Sequence, residues 1–185
     1  MVSYLFGEPL NCAFVRVPKT GSTSVIQGLL KPLHGPGLDV RDGPVPSEWR
    51  VKSFAFVRNP IDRVISCLSM FNDRKHMRKR GSKVELTLQD IVRIARSESG
   101  CPTINHIKLH AIPQTSDYFG LDRLDRLFRF EQFEKEWSAL ADFLSINEPG
   151  IIHRNRSKNR VVLKDNDIDL IRDFYREDFE VLGYQ

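Results

Sequence analysis

Cys12-Ala-Phe-Val-Arg-Val-Pro-Lys-Thr-Gly-Ser-Thr-Ser24 runs from an apolar stretch into a loop of small hydroxyl residues and one lysine. Cys12 to Val17 reads as a strand covered on both faces, which is how central strands of parallel sheets look in sequence. Pro18 joins it to Lys19, Thr20, Gly21, Ser22, Thr23 and Ser24, just where such a strand turns into a helix, expected over about Thr23 to Lys31. A loop of this composition can wrap backbone N–H groups around a phosphate or sulfate. The helix behind it aims its positive end at the same anion.

The pattern recurs downstream. Ser53 to Val57 is a second apolar strand ending at Arg58, with Asn59 placed to cap a helix and Pro60 to occupy its first turn, so a helix is expected over Ile61 to about Phe71. Between the two units, Leu33 to Ser47 is broken by Pro and Gly and is expected to be irregular. Further on, the spacing predicts a helix over Leu86 to Ser97, an irregular segment from Gly100 to Gly120 and a strand over Arg126 to Phe130. A helix opening at Glu131 and running to about Leu144 follows, then an amphipathic helix around Asp167 to Asp178. Strands alternating with helices imply an α/β fold: three layers, a mostly parallel sheet with helices on both faces, and a ligand crevice beyond the carboxyl ends of the strands. Lys19 and Arg58 both fall at that edge.

At 185 residues and 41% hydrophobic content the chain can bury one core, and no linker or repeat divides it, so a single domain over residues 1–185 is expected. A net charge of +4 favours anionic ligands and falls short of a nucleic-acid-binding signature. Cys12, Cys67 and Cys101 are odd in number and widely spaced, which argues against both a disulfide framework and a zinc site. Without a long apolar run, the sequence carries no transmembrane segment and reads as cytoplasmic.

Two anion-binding turns on neighbouring strands suit one small molecule with two anionic ends, which points to a nucleotide. Arg58 offers a planar fork to phosphate oxygens, Ser66 a hydroxyl two helical turns beyond Asn59, and Arg63 a reserve cation between them. The loop is not that of an ATPase or GTPase, in which lysine follows the last glycine as GxxxxGK[ST]; here Lys19 precedes Gly21. Neither strand is followed by GxGxxG, which removes the main support for dinucleotide binding.

Pro18-Lys-Thr-Gly-Ser-Thr-Ser24 resembles the 5′-phosphosulfate loop of sulfotransferases that use 3′-phosphoadenosine 5′-phosphosulfate (PAPS). Phe56-Val-Arg-Asn-Pro-Ile-Asp-Arg-Val-Ile-Ser66 resembles their 3′-phosphate segment, R-x-P-x-x-R-x-x-S. His110-Ala-Ile-Pro-Gln114, Phe128-Arg-Phe-Glu131, Asn155-Arg-Ser157 and Asp178-Phe-Glu-Val-Leu-Gly-Tyr184 are similar to segments of the carbohydrate-type branch and its soluble bacterial relatives. The chain departs from the family in reading Cys67-Leu-Ser-Met-Phe71 where an aromatic pair often follows the serine, and it is short.

The resemblance implies a P-loop-NTPase-like sulfotransferase fold and transfer of a sulfuryl group from PAPS to an acceptor hydroxyl or amine, leaving adenosine 3′,5′-bisphosphate (PAP). No metal is required. Lys19 is the candidate for stabilising charge on the oxygen that bridges sulfur and the 5′-phosphate. Thr20, Gly21, Ser22, Thr23 and Ser24 are expected to hold that phosphate, with Arg58, Ser66, Arg156 and Ser157 at the 3′-phosphate. For the general base, His34 stands first because some relatives place their catalytic histidine in the corresponding segment. His110, in a loop expected to border the acceptor pocket, stands second, and Glu131 third.

The basic stretch Arg74 to Lys83 reads as a solvated face that could also meet an anionic glycan. The acceptor, a small molecule or a carbohydrate, is expected to meet the loops around 33–47 and 75–120. Two other classes compete: a divergent nucleotide-binding kinase, which the missing GK[ST] disfavours, and a non-catalytic module that binds a nucleotide or an acidic polymer.

Overall fold

The computed structural model describes residues 3–7, 11–34, 38–42, 50–73, 85–98, 100–147 and 161–185. It resolves into two compact units, one of residues 1–58 and 114–156, the other of residues 59–113 and 157–185.

The first unit carries the sheet. Its strands are β1 (Ser3–Gly7), β2 (Cys12–Val15), β3 (Leu38–Asp42), β4 (Lys52–Val57) and β5 (Arg126–Arg129), in the order β3-β1-β2-β4-β5. Pairing of β2 with β4 and of β4 with β5 is parallel, whereas β1 is antiparallel to both β2 and β3. Among the described strands, four therefore run one way and β1 is reversed. This is the expected α/β class with a parallel centre. The strand at Leu38–Asp42 corrects the irregular reading of residues 33–47: Gly37 and Gly43 bound a five-residue segment of alternating apolar and charged residues. So short a pattern reads as strand only once β1 supplies its hydrogen bonds.

Period-two alternation sends Cys12, Phe14, Phe54, Phe56 and Phe128 to one face, where helix α1, residues 22–34, lays down Val25, Leu29 and Leu30. Phe133, Trp137, Leu140 and Leu144, from a helix over Phe133–Leu144, complete the cluster. The aromatic rings fit as sheet neighbours should, Phe14 on Phe54 with centroids 5.1 Å apart and Phe56 on Phe128 at 5.4 Å. Each such ring contributes roughly 2–3 kcal/mol by leaving water. Ala13, Val15, Ala55 and Val57 on the opposite face are buried as well, as a central strand requires. Burial pushes the Cys12 thiol up to about 11, so it packs as a small apolar group. Helix α1 widens to a π turn over Ile26–Leu30; Pro32 has no N–H for the Gly28 carbonyl, and its ring crowds that oxygen.

The second unit is helical: α2 (Pro60–Phe71), α3 (Leu88–Ala95), α4 (Pro102–Ala111), and near the C-terminus two more. In chain order the first unit's α5 (Phe133–Leu144) intervenes, and α6 (Asp165–Phe174) and α7 (Arg176–Leu182) follow. Val64, Cys67, Leu68 and Phe71 of α2 pack with Leu88, Ile91, Val92, Ile107, Ile171 and Tyr175. The Tyr175 hydroxyl donates to the Ala111 carbonyl oxygen. Helix α4 corrects the irregular reading of residues 100–120: Pro102 sits in its first turn, but only Ile107 and Ala111 are buried, too few to mark a stripe in sequence. The helix expected to open at Glu131 starts at Phe133 after a single 3-10 turn. The one expected around Asp167 to Asp178 is two helices, broken at Tyr175. Among the described residues no helix is long and apolar enough to cross a membrane.

Candidate active site

Because β2, β4 and β5 are parallel and in register, with Val15 beside Ala55 and Val57 beside Arg129, the segments that leave them emerge at one edge. Three expected motifs meet there within the first unit: the loop from Pro18 to Ser24, Arg58, and Phe130. The loop is tightly wound. Lys19 has φ +71° and Gly21 φ +84°, both left-handed, and Lys19 pays a steric cost there that glycine escapes. The Val17 carbonyl oxygen accepts from the Thr20 hydroxyl and from the Ser22 hydroxyl, each at 2.8 Å. Gly21 then caps α1, and its carbonyl oxygen accepts from the Ser24 and Val25 amides.

These bonds refine what each residue can offer. Thr20 is wholly buried and its hydroxyl proton faces Val17, so its side chain braces the turn. Ser22 does the same from a half-buried position. The amides of Ser22 and Thr23 belong to the first helical turn, the end of a helix that suits an anion. Ser24 is buried and its amide is engaged.

Arg58 is half-buried, and its Nη1 donates to the Lys19 carbonyl oxygen at 3.2 Å. Its guanidinium lies over the Phe130 ring, 4.7 Å from the centroid. The same ring faces Gly21: a Cβ at Gly21 would stand 2.7 Å from Phe130 Cε2. Gln114, fully buried, grips the arginine's main chain at both ends, accepting from the Arg58 amide at 2.9 Å and donating to the Arg58 carbonyl oxygen at 2.8 Å. Sequence reasoning singled out neither Gln114 nor Phe130 as site residues. Their signal was membership of two quoted motifs, Ile-Pro-Gln and Phe-Arg-Phe-Glu.

The other described candidates are placed on their own elements. Ser66 is half-buried on α2 in the second unit. Arg63, weighed as a reserve phosphate ligand, is 1% exposed and donates through Nη1 to the Ile112 carbonyl oxygen, a structural placement. His110 is on α4 and not in a loop; its Nδ1 is 2.9 Å from the His106 carbonyl oxygen, an atom that can only accept. Its ring packs edge-on against Phe71 at 5.3 Å. Glu131 is exposed in the 3-10 turn after β5. His34 ends α1, and its side chain lies outside the described residues, as do Arg156, Ser157 and the stretch from Arg74 to Lys83.

A cation-bearing loop with first-turn amides, held beside a stacked arginine, fits a ligand with phosphate groups. Comparison with curated proteins and with solved structures returns no match. The model of the Sulfotransferase family matches residues 45–185. That stretch takes in Arg58 to Ser66, Gln114 and Phe130 and begins after the Lys19 loop. With well over half of its length matched, and with an α/β sheet that delivers the arginine of the matched segment to the edge where the lysine loop lies, the chain belongs to the sulfotransferase family.

Proposed function

We propose that the protein moves a sulfuryl group from PAPS to the hydroxyl or amine of a small-molecule or carbohydrate acceptor. The observation that carries this reading is the Arg58 guanidinium bonded to the Lys19 carbonyl oxygen at the carboxyl edge of the parallel strands. PAPS, when bound, supplies an activated sulfuryl group on a nucleotide with two separated anionic ends. Lys19 places an ammonium where negative charge grows as the sulfur leaves its bridging oxygen. The Ser22 and Thr23 amides orient the 5′-phosphate at the start of α1, and Gly21 lets the backbone come close. Arg58 meets the 3′-phosphate with a planar fork, and Ser66, Arg156 and Ser157 are assigned beside it from their motif positions alone. His34, His110 or Glu131 takes the acceptor proton.

Calorimetric titration with PAP tests the reading. Binding that needs no Mg²⁺, and that falls at least tenfold in Lys19→Ala and Arg58→Ala, is the expected result, each variant losing a charge-assisted contact of about 1.5–3 kcal/mol. Tight Mg·ATP binding with no response to PAP would overturn it in favour of a kinase. Salt-sensitive binding of an acidic polymer alone would favour a non-catalytic module.

A further inference from the structure

The proposed function gives Arg58 one task, at the 3′-phosphate. Its side chain is already engaged with the other end of the site. Nη1 donates to the Lys19 carbonyl oxygen, the guanidinium rests on Phe130, and Gln114 holds the arginine's own amide and carbonyl. Lys19 meanwhile keeps φ +71°, a conformation that persists in a lysine only where its surroundings over-determine it.

A peptide unit is planar, with its C=O and N–H pointing opposite ways. Anchoring the Lys19 carbonyl therefore fixes the direction of the Thr20 N–H and the orientation of the whole turn between Lys19 and Gly21. It also holds the Lys19 Cα, the point from which the lysine's flexible stem departs. We propose that Arg58 is a positioning residue for Lys19, holding the 5′-phosphosulfate loop in its left-handed form through the Lys19 carbonyl, with Phe130 as the platform and Gln114 as the clamp. The two motifs are then one mechanical unit. This rests on the proposed function, because the test compares a ligand that has the 3′-phosphate with one that lacks it.

Titration of the wild type, Arg58→Lys and Phe130→Leu with PAP and with adenosine 5′-phosphosulfate, which lacks the 3′-phosphate, separates the possibilities. Arg58→Lys keeps the charge and loses the fork; Phe130→Leu keeps the arginine and loses the ring beneath it. The expected result is that Arg58→Lys weakens the 5′-phosphosulfate ligand about tenfold, the loss of one charge-assisted hydrogen bond, and that Phe130→Leu weakens it in the same direction. In turnover, Arg58→Lys lowers kcat as well as raising KM for PAPS, since a mis-aimed Lys19 fails in the transition state. Affinity for adenosine 5′-phosphosulfate unchanged in both variants, with PAP binding weakened only in Arg58→Lys, overturns the proposal and leaves the donor reading standing. Wild-type protein that binds neither nucleotide overturns the donor reading and this inference with it.

Discussion

Gly21 shows how one missing side chain can hold a site open. Its φ of +84° suits glycine, and a Cβ there would lie 2.7 and 2.8 Å from two carbons of the Phe130 ring. That ring carries the Arg58 guanidinium, so the clash passes directly to the arginine. Gly21→Ala is expected to lower stability by about 1–3 kcal/mol, from left-handed backbone strain and the displaced ring together. It is also expected to weaken PAP binding at least tenfold. Gly183, at φ +65° past the end of α7, is the control. Gly183→Ala introduces left-handed backbone strain away from the Phe130 ring, about 1 kcal/mol, and should leave the affinity unchanged. Urea denaturation and calorimetry of the two variants check both halves. Equal losses of affinity would mean that the strain, and not the ring, matters.

At the scale of elements, the start of α2 shows how a local signal in the sequence sets a helix boundary. The Asn59 side chain accepts from the Ile61 amide at 2.9 Å and Pro60 fills the first turn, so α2 begins where those residues say it should. Helix α3 has a capping box, with the Thr87 hydroxyl accepting from the Asp90 amide and Asp90 accepting from the Thr87 amide. The Thr87 amide and hydroxyl, helped by the Arg93 guanidinium, hold the Asp90 carboxyl below its usual range. A lowered carboxyl pKa gives stability that is complete above the ordinary value of 3.8 and is lost as pH falls through the folded value. Thr87→Ala should therefore cost about 1 kcal/mol near neutral pH, and less near pH 3. Urea titrations at the two pH values measure the difference.

The Asn59 cap was legible because its residues are adjacent in sequence; the Thr87 capping box, equally local, falls inside the span Leu86 to Ser97 that the spacing assigns to helix. The part played by Gln114 was not legible, since its partners are main-chain atoms 56 residues away. The strand β3 escaped for a similar reason: its hydrogen bonds come from β1, and its five residues show too little periodicity to stand alone. The helix α4 hid behind a non-polar cap, because Cys101 does not announce an N-terminus as serine or aspartate would. The loop from Pro18 to Ser24 was readable as a turn between a strand and a helix. What its sequence withheld was the direction of its hydroxyls, two of which turn back to Val17.

At the scale of the whole molecule, the chain leaves the sheet-bearing unit after Arg58 and re-enters it at Gln114, so that unit is closed by residues far apart in sequence. The return segment brings β5 and α5, and with them Phe128, Phe133, Trp137, Leu140 and Leu144 of the aromatic cluster. Burial of these five side chains contributes roughly 10 kcal/mol. That rivals the entire net stability of a domain, about 5–15 kcal/mol. A fragment of residues 1–113 retains the anion loop and Arg58, yet it lacks those side chains, leaves β4 as an open edge and removes both Gln114 and Phe130. It is expected to show no cooperative unfolding transition and no binding of PAP, even though the lysine and the arginine of the site are both present. Circular dichroism through a thermal ramp, alongside calorimetry with PAP, tests this against the full chain. A fragment that melted cooperatively and bound the nucleotide would mean that the loop and Arg58 organise each other without the returning strand, and that Phe130 and Gln114 are dispensable to the site.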